Sequence, residues 1–319
     1  MKKGEKTAAG MPVKKGRTIK RIRKFLPIYL LALPGLIYLF INNYVPMAGL
    51  IVAFKQYSAK RGIWGSKWAG FENFKYLFGT EDALVITRNT LLYNIAFIII
   101  GTIVSVTIAI LLSEIRNRKA SKFYQSVILL PYLVSWVIIS YLVFGFLSAE
   151  SGFINNTILG GLGLDPISWY NEPGYWPVII VLVYLWQGMG YHSIVYFASV
   201  VGIDRGYYEA AEIEGATHWQ KIRHITLPLI RPTIITMVML SVGRIFYSDF
   251  GMFYQVPMNS GAVLSTTNVI DTYVYRGLLQ QGNIGMSAAA GLYQSVVGFA
   301  VVLIANGLVR KVDRENAFF

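Results

Sequence analysis

The residues of this chain whose types can do chemistry are polar side chains set inside apolar runs. Asn94, Gln187, His192, Arg244, Tyr247, Asp249 and Gln294 lie in stretches otherwise built from Leu, Ile, Val, Phe and Ala. Amides, a carboxylate and an arginine bond hydroxyl and carboxylate oxygens, and Tyr293 can serve beside them as an aromatic platform. Such groups are costly at membrane depth and face a cavity or a protein partner. Covalent and metal chemistry find no matching pattern. His192, His218 and His224 are the only histidines, and His218 and His224 are six apart, which is not the i, i+4 spacing of a helical zinc pair. No HExxH, GxSxG or EF-hand pattern occurs, and there is no cysteine. The dipeptide Gly-Lys is also absent, so a Walker A phosphate cradle cannot form. No catalytic residue, no metal site and no cofactor bound by the chain are expected.

Several of these residues have a plainer reading. Arg244 and Asp249 are five apart, which on a helix places them about 140° apart around the axis and argues against a direct pair. Asp249 reads as a structural bond near the end of its span. Arg244 lies deeper and, facing a cavity, would favour an anionic ligand; its alternative is a partner in another chain. His192 reads as a polar contact between helices, since no chain of acids accompanies it. Ser287, Gly291 and Ser295 recur at i, i+4, i+8, a small-residue face suited to close helix packing. Most of the 21 tyrosines read as interface anchors.

The elements that must position these groups follow from hydropathy. Of 319 residues 55% are hydrophobic and 14% charged, against about 25% charged in an average soluble domain. A spanning helix needs about 20 mostly apolar residues. Six windows qualify, at 25–45, 90–112, 124–147, 176–201, 229–250 and 287–309. The fold class is therefore an all-α polytopic membrane protein with six transmembrane helices. The net charge of +13 distributes along the chain as a topology signal. Segments 1–24, 113–122, 202–231 and the tail from 310 hold 21 Lys/Arg, whereas 46–89 and 251–286 hold seven. By the positive-inside rule both termini are cytoplasmic, and no nucleic-acid partner is needed to explain the charge. The first apolar run lacks a cleavage-site pattern and reads as a retained span. The organisation is thus a basic segment 1–24, a membrane domain 25–310 with a cytoplasmic loop 202–231, and a tail 311–319. Residues 1–18 are expected to be disordered. The long loops 46–89 and 251–286 are expected to carry structure or function.

The loop between the fourth and fifth windows is the most specific part of the sequence. Residues 206–214 read as a short helix ended by Gly215, and about 217–225 as a second short helix leading to Pro228 near the start of a span. Taken whole, Glu209-Ala210-Ala211, three residues, Gly215, nine residues, then Ile225-Thr226-Leu227-Pro228 resembles the EAA signature of ABC importer permeases. The resemblance implies the type I ABC importer permease fold. It also implies that this loop is a coupling helix docking into an ATPase subunit, with Glu209, Ala210, Ala211, Gly215, Leu227 and Pro228 as its coupling residues.

Further runs resemble carbohydrate permeases, in particular the maltose-type branch that includes alginate importers. They are Asp249-Phe250-Gly251-Met252-Phe253-Tyr254-Gln255-Val256-Pro257, Thr267-Asn268-Val269-Ile270-Asp271-Thr272-Tyr273-Val274-Tyr275-Arg276, Ile284-Gly285-Met286-Ser287-Ala288-Ala289-Ala290-Gly291 and Trp68-Ala69-Gly70-Phe71-Glu72-Asn73-Phe74. The resemblance covers roughly residues 25–319. It implies a bacterial inner-membrane subunit that passes oligosaccharide by alternating access. Its partners would be a second homologous permease, two ATP-binding cassette ATPases that hold ATP and Mg, an extracellular solute-binding protein and membrane lipid. Asn94, Gln187, His192, Arg244, Tyr247, Asp249, Tyr293 and Gln294 are then the candidates for the sugar pathway. A permease for another solute such as peptide, and an ion-coupled secondary transporter, are the competing readings. The first lacks support in the 249–291 runs. The second calls for intramembrane carboxylates and repeats that the sequence does not display.

Overall fold

The computed structural model describes residues 15–312. The N-terminal segment 1–14 and the tail 313–319 lie outside the described residues. Helix α1, Lys15–Leu39, begins inside the segment 1–18 that reads as disordered from sequence. It carries Pro27 and Pro34 and continues through a π-turn, Phe40–Tyr44. The side chains from Phe25 to Ala48 are exposed. This stretch belongs to one compact unit, Met1–Ile51; the remainder of the chain, Val52–Phe319, is a second.

The second unit is helical apart from a two-residue hairpin, β1 Lys55–Gln56 paired antiparallel with β2 Lys67–Trp68. A short helix α2, Glu72–Phe78, precedes α3, Asp82–Ser113. Then come α4, Arg118–Leu129, α5, Trp136–Leu147, and α6, Trp176–Val201. The loop that follows holds α7, Arg205–Ile213, and α8, His218–Lys221. The remaining α-helices of six residues or more are α9, Leu227–Val242, α10, Phe250–Gln255, α11, Ile270–Leu279, and α12, Ile284–Val312. Five described helical stretches are long and apolar enough to cross a membrane: 25–54, 82–113, 173–201, 218–242 and 284–311.

The third expected span, 124–147, is broken. Arg118–Leu133 and Trp136–Leu147 meet at 94°. The sequence holds the cause. Pro131 sits in a 3₁₀ turn, Val134 is extended, and the Ser135 hydroxyl accepts from the Ile138 amide to start α5 afresh. The fifth window is corrected in two ways. Its helix stops at Val242, not 250, and residues 243–249 descend through tight turns such as Arg244 N–H to Ser241 O (3.0 Å) and Tyr247 N–H to Arg244 O (2.8 Å). At the other end the expected second short helix is not separate. It runs from α8 through a π-turn, Ile222–Thr226, straight into α9. The wider turn leaves room for Pro228, which brings a ring and no amide donor.

α3 and α6 form the central pair. Phe97 stacks on Tyr184 with ring centroids 3.8 Å apart. Towards the 202–231 loop, Val106, Ala109, Tyr196, Val200 and Ile230 make a small core, and Ser199 bonds Thr233 at 2.9 Å. Lipid offers apolar side chains no less than a helix does, so association rests on fit and on such polar bonds. Gly190 shows the fit: a β-carbon there would stand 1.9 Å from the Ile128 carbonyl oxygen, so α6 meets the backbone of α4 directly.

The family-like runs become joints of the 46–89 and 251–286 segments. Asn73 donates to the carbonyls of Ala53 (2.8 Å) and Lys55 (3.1 Å), and its amide lies against Gly285 at the start of α12. Arg276 is buried without a carboxylate. Its guanidinium donates instead to Asn259 (2.9 Å), Thr272 (3.1 Å) and Asn268. Ser287 is buried against Gly277 of α11, whereas Ser295 is exposed. The small-residue face therefore packs within the chain at one end only.

Candidate coupling surface and membrane cavity

Two places gather the candidate residues. The first is the loop 202–231. Asp204 caps α7 by accepting from the Gly206 amide at 2.9 Å. The helix ends in a Schellman motif, with Ala216 N–H on Ala211 O (2.9 Å) and Gly215 N–H on Glu212 O (3.0 Å). Gly215 takes φ +75°, which a side-chain-bearing residue enters only at a cost. Thr217 and Gln220 then form a capping box that starts α8. Two bonds fold the loop back on itself. Tyr208 Oη lies 2.9 Å from Thr226 Oγ1, and Lys221 Nζ donates to Glu212 Oε1 at 2.6 Å. That bond, then the charge of Lys221 and more weakly that of Arg116, holds the Glu212 carboxyl below its ordinary range.

Glu209, Ala210 and Gly215 are exposed on this rigid loop, Ala211 and Leu227 are half-buried, and Pro228 is exposed beyond the π-turn. Beside them stand three large exposed side chains that the motif does not include: Tyr207, Ile213 at 88% exposure and Trp219 at 66%. Their signal in the sequence is the placing of large apolar residues in a short, otherwise polar loop.

The second place is a cavity of about 270 Å³ between α3, α6 and the turns after α9. It brings together Asn94, His192, Arg244, Tyr247 and Asp249. Asn94 donates to the carbonyl of Thr90 (2.8 Å), which fixes its amide. Asp249 is spent structurally: one oxygen caps α10 through the Met252 amide (3.1 Å) and the other accepts from Trp136 Nε1 (3.0 Å). Arg244 is exposed, and among the described residues its guanidinium has no hydrogen bond and no ion pair. The missing Arg244–Asp249 pair has a different cause from the helical angle, because the chain between them is not helical.

The turns that carry Arg244 and Tyr247 are clamped from behind. Gln294 donates to the Phe246 carbonyl at 2.7 Å and to Asp271 Oδ2 at 3.1 Å, and the same oxygen accepts from the Ser248 amide at 2.8 Å. Burial pushes the Asp271 carboxyl up from its ordinary range, against the opposing pull of the Ser248 amide, Gln294 and the charge of Arg244.

The structure does not bring every candidate to the cavity. Gln294 is buried in the clamp. Tyr293 lies in a different groove, with its hydroxyl 3.1 Å from Thr87 Oγ1 and its ring edge-on to Phe78. Gln187 reaches towards the Tyr132 carbonyl at 3.5 Å. Ser105, Tyr184, Tyr196 and Ser248 are among the lining residues that were not legible as site residues. The hydroxyls of Ser105 and Ser248 are buried with no partner among the described residues, which marks this wall as polar. Among the described residues no group of three or more His, Asp or Glu is placed to hold a metal.

Known proteins share this architecture. Residues 101–314 match the family described as "Binding-protein-dependent transport system inner membrane component". Protein LplB of Bacillus subtilis is 35% identical over 91% of this chain and 91% of its own length. The polygalacturonan/rhamnogalacturonan transport system permease protein YteP of the same organism is 34% identical over 91% and 90%. A chain of the bacterial alginate ABC transporter, crystallised in complex with alginate pentasaccharide-bound periplasmic protein, superposes with a TM-score of 0.83 at 33% identity, covering 93% of this chain and 98% of that one. The chain described here is a multi-pass inner-membrane permease subunit of the binding-protein-dependent ABC importer family, and is not itself an ATPase.

Proposed function

We propose that this subunit passes acidic oligosaccharides from an external binding protein to the cytoplasm. The observation that carries this reading is the charge balance of the cavity. Its one lining carboxylate, Asp249, has both oxygens engaged, and its one lining cation, Arg244, has no hydrogen bond and no ion pair among the described residues, its charge acting on Asp271 only at a distance. A uronate carboxylate suits that cation, and the rings of Tyr184, Tyr196 and Tyr247 beside it suit sugar faces. Two of the similar proteins are named for polyuronate transport, polygalacturonan and alginate, which supports the same class.

In this reading α7 is the coupling helix. Its partner is one of two ATPase subunits, which supply ATP and Mg, and a second homologous permease completes the pore. Glu209 offers a charge, Ala210 lets a partner approach closely, and Tyr207, Ile213 and Trp219 supply the apolar anchors of a docking surface. ATP binding acts only through differential affinity for the inward- and outward-facing states. The loop is fit to pass that difference on because α8 is continuous with α9, whose end carries the Arg244 turns.

The test is reconstitution with the sister permease, the ATPases and the binding protein, reading ATP hydrolysis with and without loaded binding protein. Glu209→Lys with Gly215→Asp is expected to abolish the stimulation and release the ATPase. Retained stimulation with the ATPase still bound overturns the coupling assignment.

A further inference from the structure

Where α3 and α6 end, beside the loop 202–231, a second cleft of about 530 Å³ opens. Arg116, Arg118, Lys122 and Arg205 line it. Among the described residues none of the four makes an ion pair or a side-chain hydrogen bond; Arg116 acts only at a distance, on Glu212. One acid, Glu114, lines the cleft with them. Glu114 lies 3.8 Å from His218, and Glu212 is held by Lys221. Four cations against one lining acid leave this concavity with an excess of positive charge, which calls for an anionic ligand.

The rest of the lining says what kind. Leu112, Phe197 and Val201 belong to the last turns of α3 and α6, so one wall of the cleft is apolar. The cleft therefore lies where two spans leave the bilayer, beside the Lys/Arg-rich segments 113–122 and 202–231 that the positive-inside rule assigns to the cytoplasm. α4, which starts here behind its Asn117 cap, is amphipathic. It exposes Phe123, Tyr124 and Val127 next to Lys119 and Lys122, the composition of a helix resting at a membrane surface. Inorganic phosphate would satisfy the cations and leave the apolar wall uncovered.

We propose that this cleft binds the headgroup of an anionic phospholipid of the cytoplasmic leaflet, its phosphodiester among Arg116, Arg118, Lys122 and Arg205 and its first acyl carbons against Phe197 and Val201. Arg205 is the first residue of α7, so the lipid joins the α3–α4 turn to the foot of the coupling segment. Lipid occupancy does not depend on the import reading; its effect on coupling does.

The experiment is native mass spectrometry of the assembled, delipidated transporter with phosphatidylglycerol or phosphatidylcholine added back. The wild type is expected to retain phosphatidylglycerol in preference to phosphatidylcholine, and inorganic phosphate is expected not to displace it. Arg116→Gln with Arg118→Gln and Lys122→Gln should lower retained phosphatidylglycerol about tenfold or more, and the Lys-for-Arg version at 116 and 118 should restore it. Equal retention of the two lipids by the wild type overturns the proposal without any variant. So does displacement by inorganic phosphate, which assigns the cleft to a free anion. Loss of the ATPase from the triple variant with lipid retention unchanged also overturns it, and assigns the cations to a protein contact.

Discussion

In the proposed function, Arg244 is the residue on which substrate choice turns. Replacing it by Gln keeps a donor of similar reach and removes the charge. A hydrogen bond to a charged group contributes about 1.5–3 kcal/mol, so uptake of an acidic oligosaccharide should fall by about tenfold to a hundredfold. Uptake of a neutral one of equal length should hold. Flux of both, measured in proteoliposomes, checks this; equal loss of the two would give Arg244 a structural role. Asp271 supports the same turns from outside the cavity, and its burial makes a pH prediction. A carboxyl whose folded-state pKa is raised contributes its stability below the unfolded value and loses it as pH climbs through the folded one. Asp271→Asn keeps an acceptor for Ser248 and carries no charge. The wild type should therefore lose more thermal stability than the Asn variant as pH rises upward from the ordinary carboxylate range. Melting temperatures of the two proteins across that range would show parallel curves if Asp271 were not under strain from burial.

Among the elements, close approach sets the sharpest demands. Gly190→Val would drive a side chain into the Ile128 carbonyl, a backbone group that cannot swing aside as the end of a flexible side chain would. Folded yield by size exclusion should collapse, whereas Gly145→Ala on α5, with open space at its β-carbon, should leave yield unchanged. Gly215→Val makes a milder demand, about 1–2 kcal/mol for a β-branched residue at positive φ. It should loosen ATPase association and leave the membrane domain folded. The local fold of the loop 202–231 was legible because its signal is local: a helix former run, a glycine at the stop and a proline at fixed spacing. The elements that sequence missed depend on chain geometry that hydropathy does not register. A window average passes over Pro131 and Ser135, yet those two residues turn the third span by 94°. It likewise passes over Gly243, after which the fifth helix gives way to the turns bearing Arg244 and Tyr247. Tyr184 and Tyr196 read as ordinary aromatic residues of an apolar run, and only the pairing of α3 with α6 and α9 makes them cavity walls.

At the scale of the whole molecule, charge and cavity require one orientation. If α7 meets ATPases in the cytoplasm and the 46–89 and 251–286 segments meet a binding protein outside, every Lys/Arg-rich segment must lie inside. The 21-to-seven asymmetry is what such an orientation predicts, and the chain allows a direct measurement because it contains no cysteine. A single Cys can be introduced without background at Ile213, exposed on the loop 202–231, or at Leu164, exposed in the segment between α5 and α6. In intact cells a membrane-impermeant maleimide should label Leu164→Cys and spare Ile213→Cys; permeabilisation should expose the second. ATPase bound over Ile213 would also protect that thiol, so the labelling is repeated on permeabilised cells lacking the ATPase. There Ile213→Cys should label fully, and with the ATPase restored it should label less. Labelling of Ile213→Cys in intact cells would reverse the membrane orientation, and with it the assignment of α7 to a cytoplasmic partner. Protection that appears only with the ATPase present would place the partner's footprint on Ile213 itself.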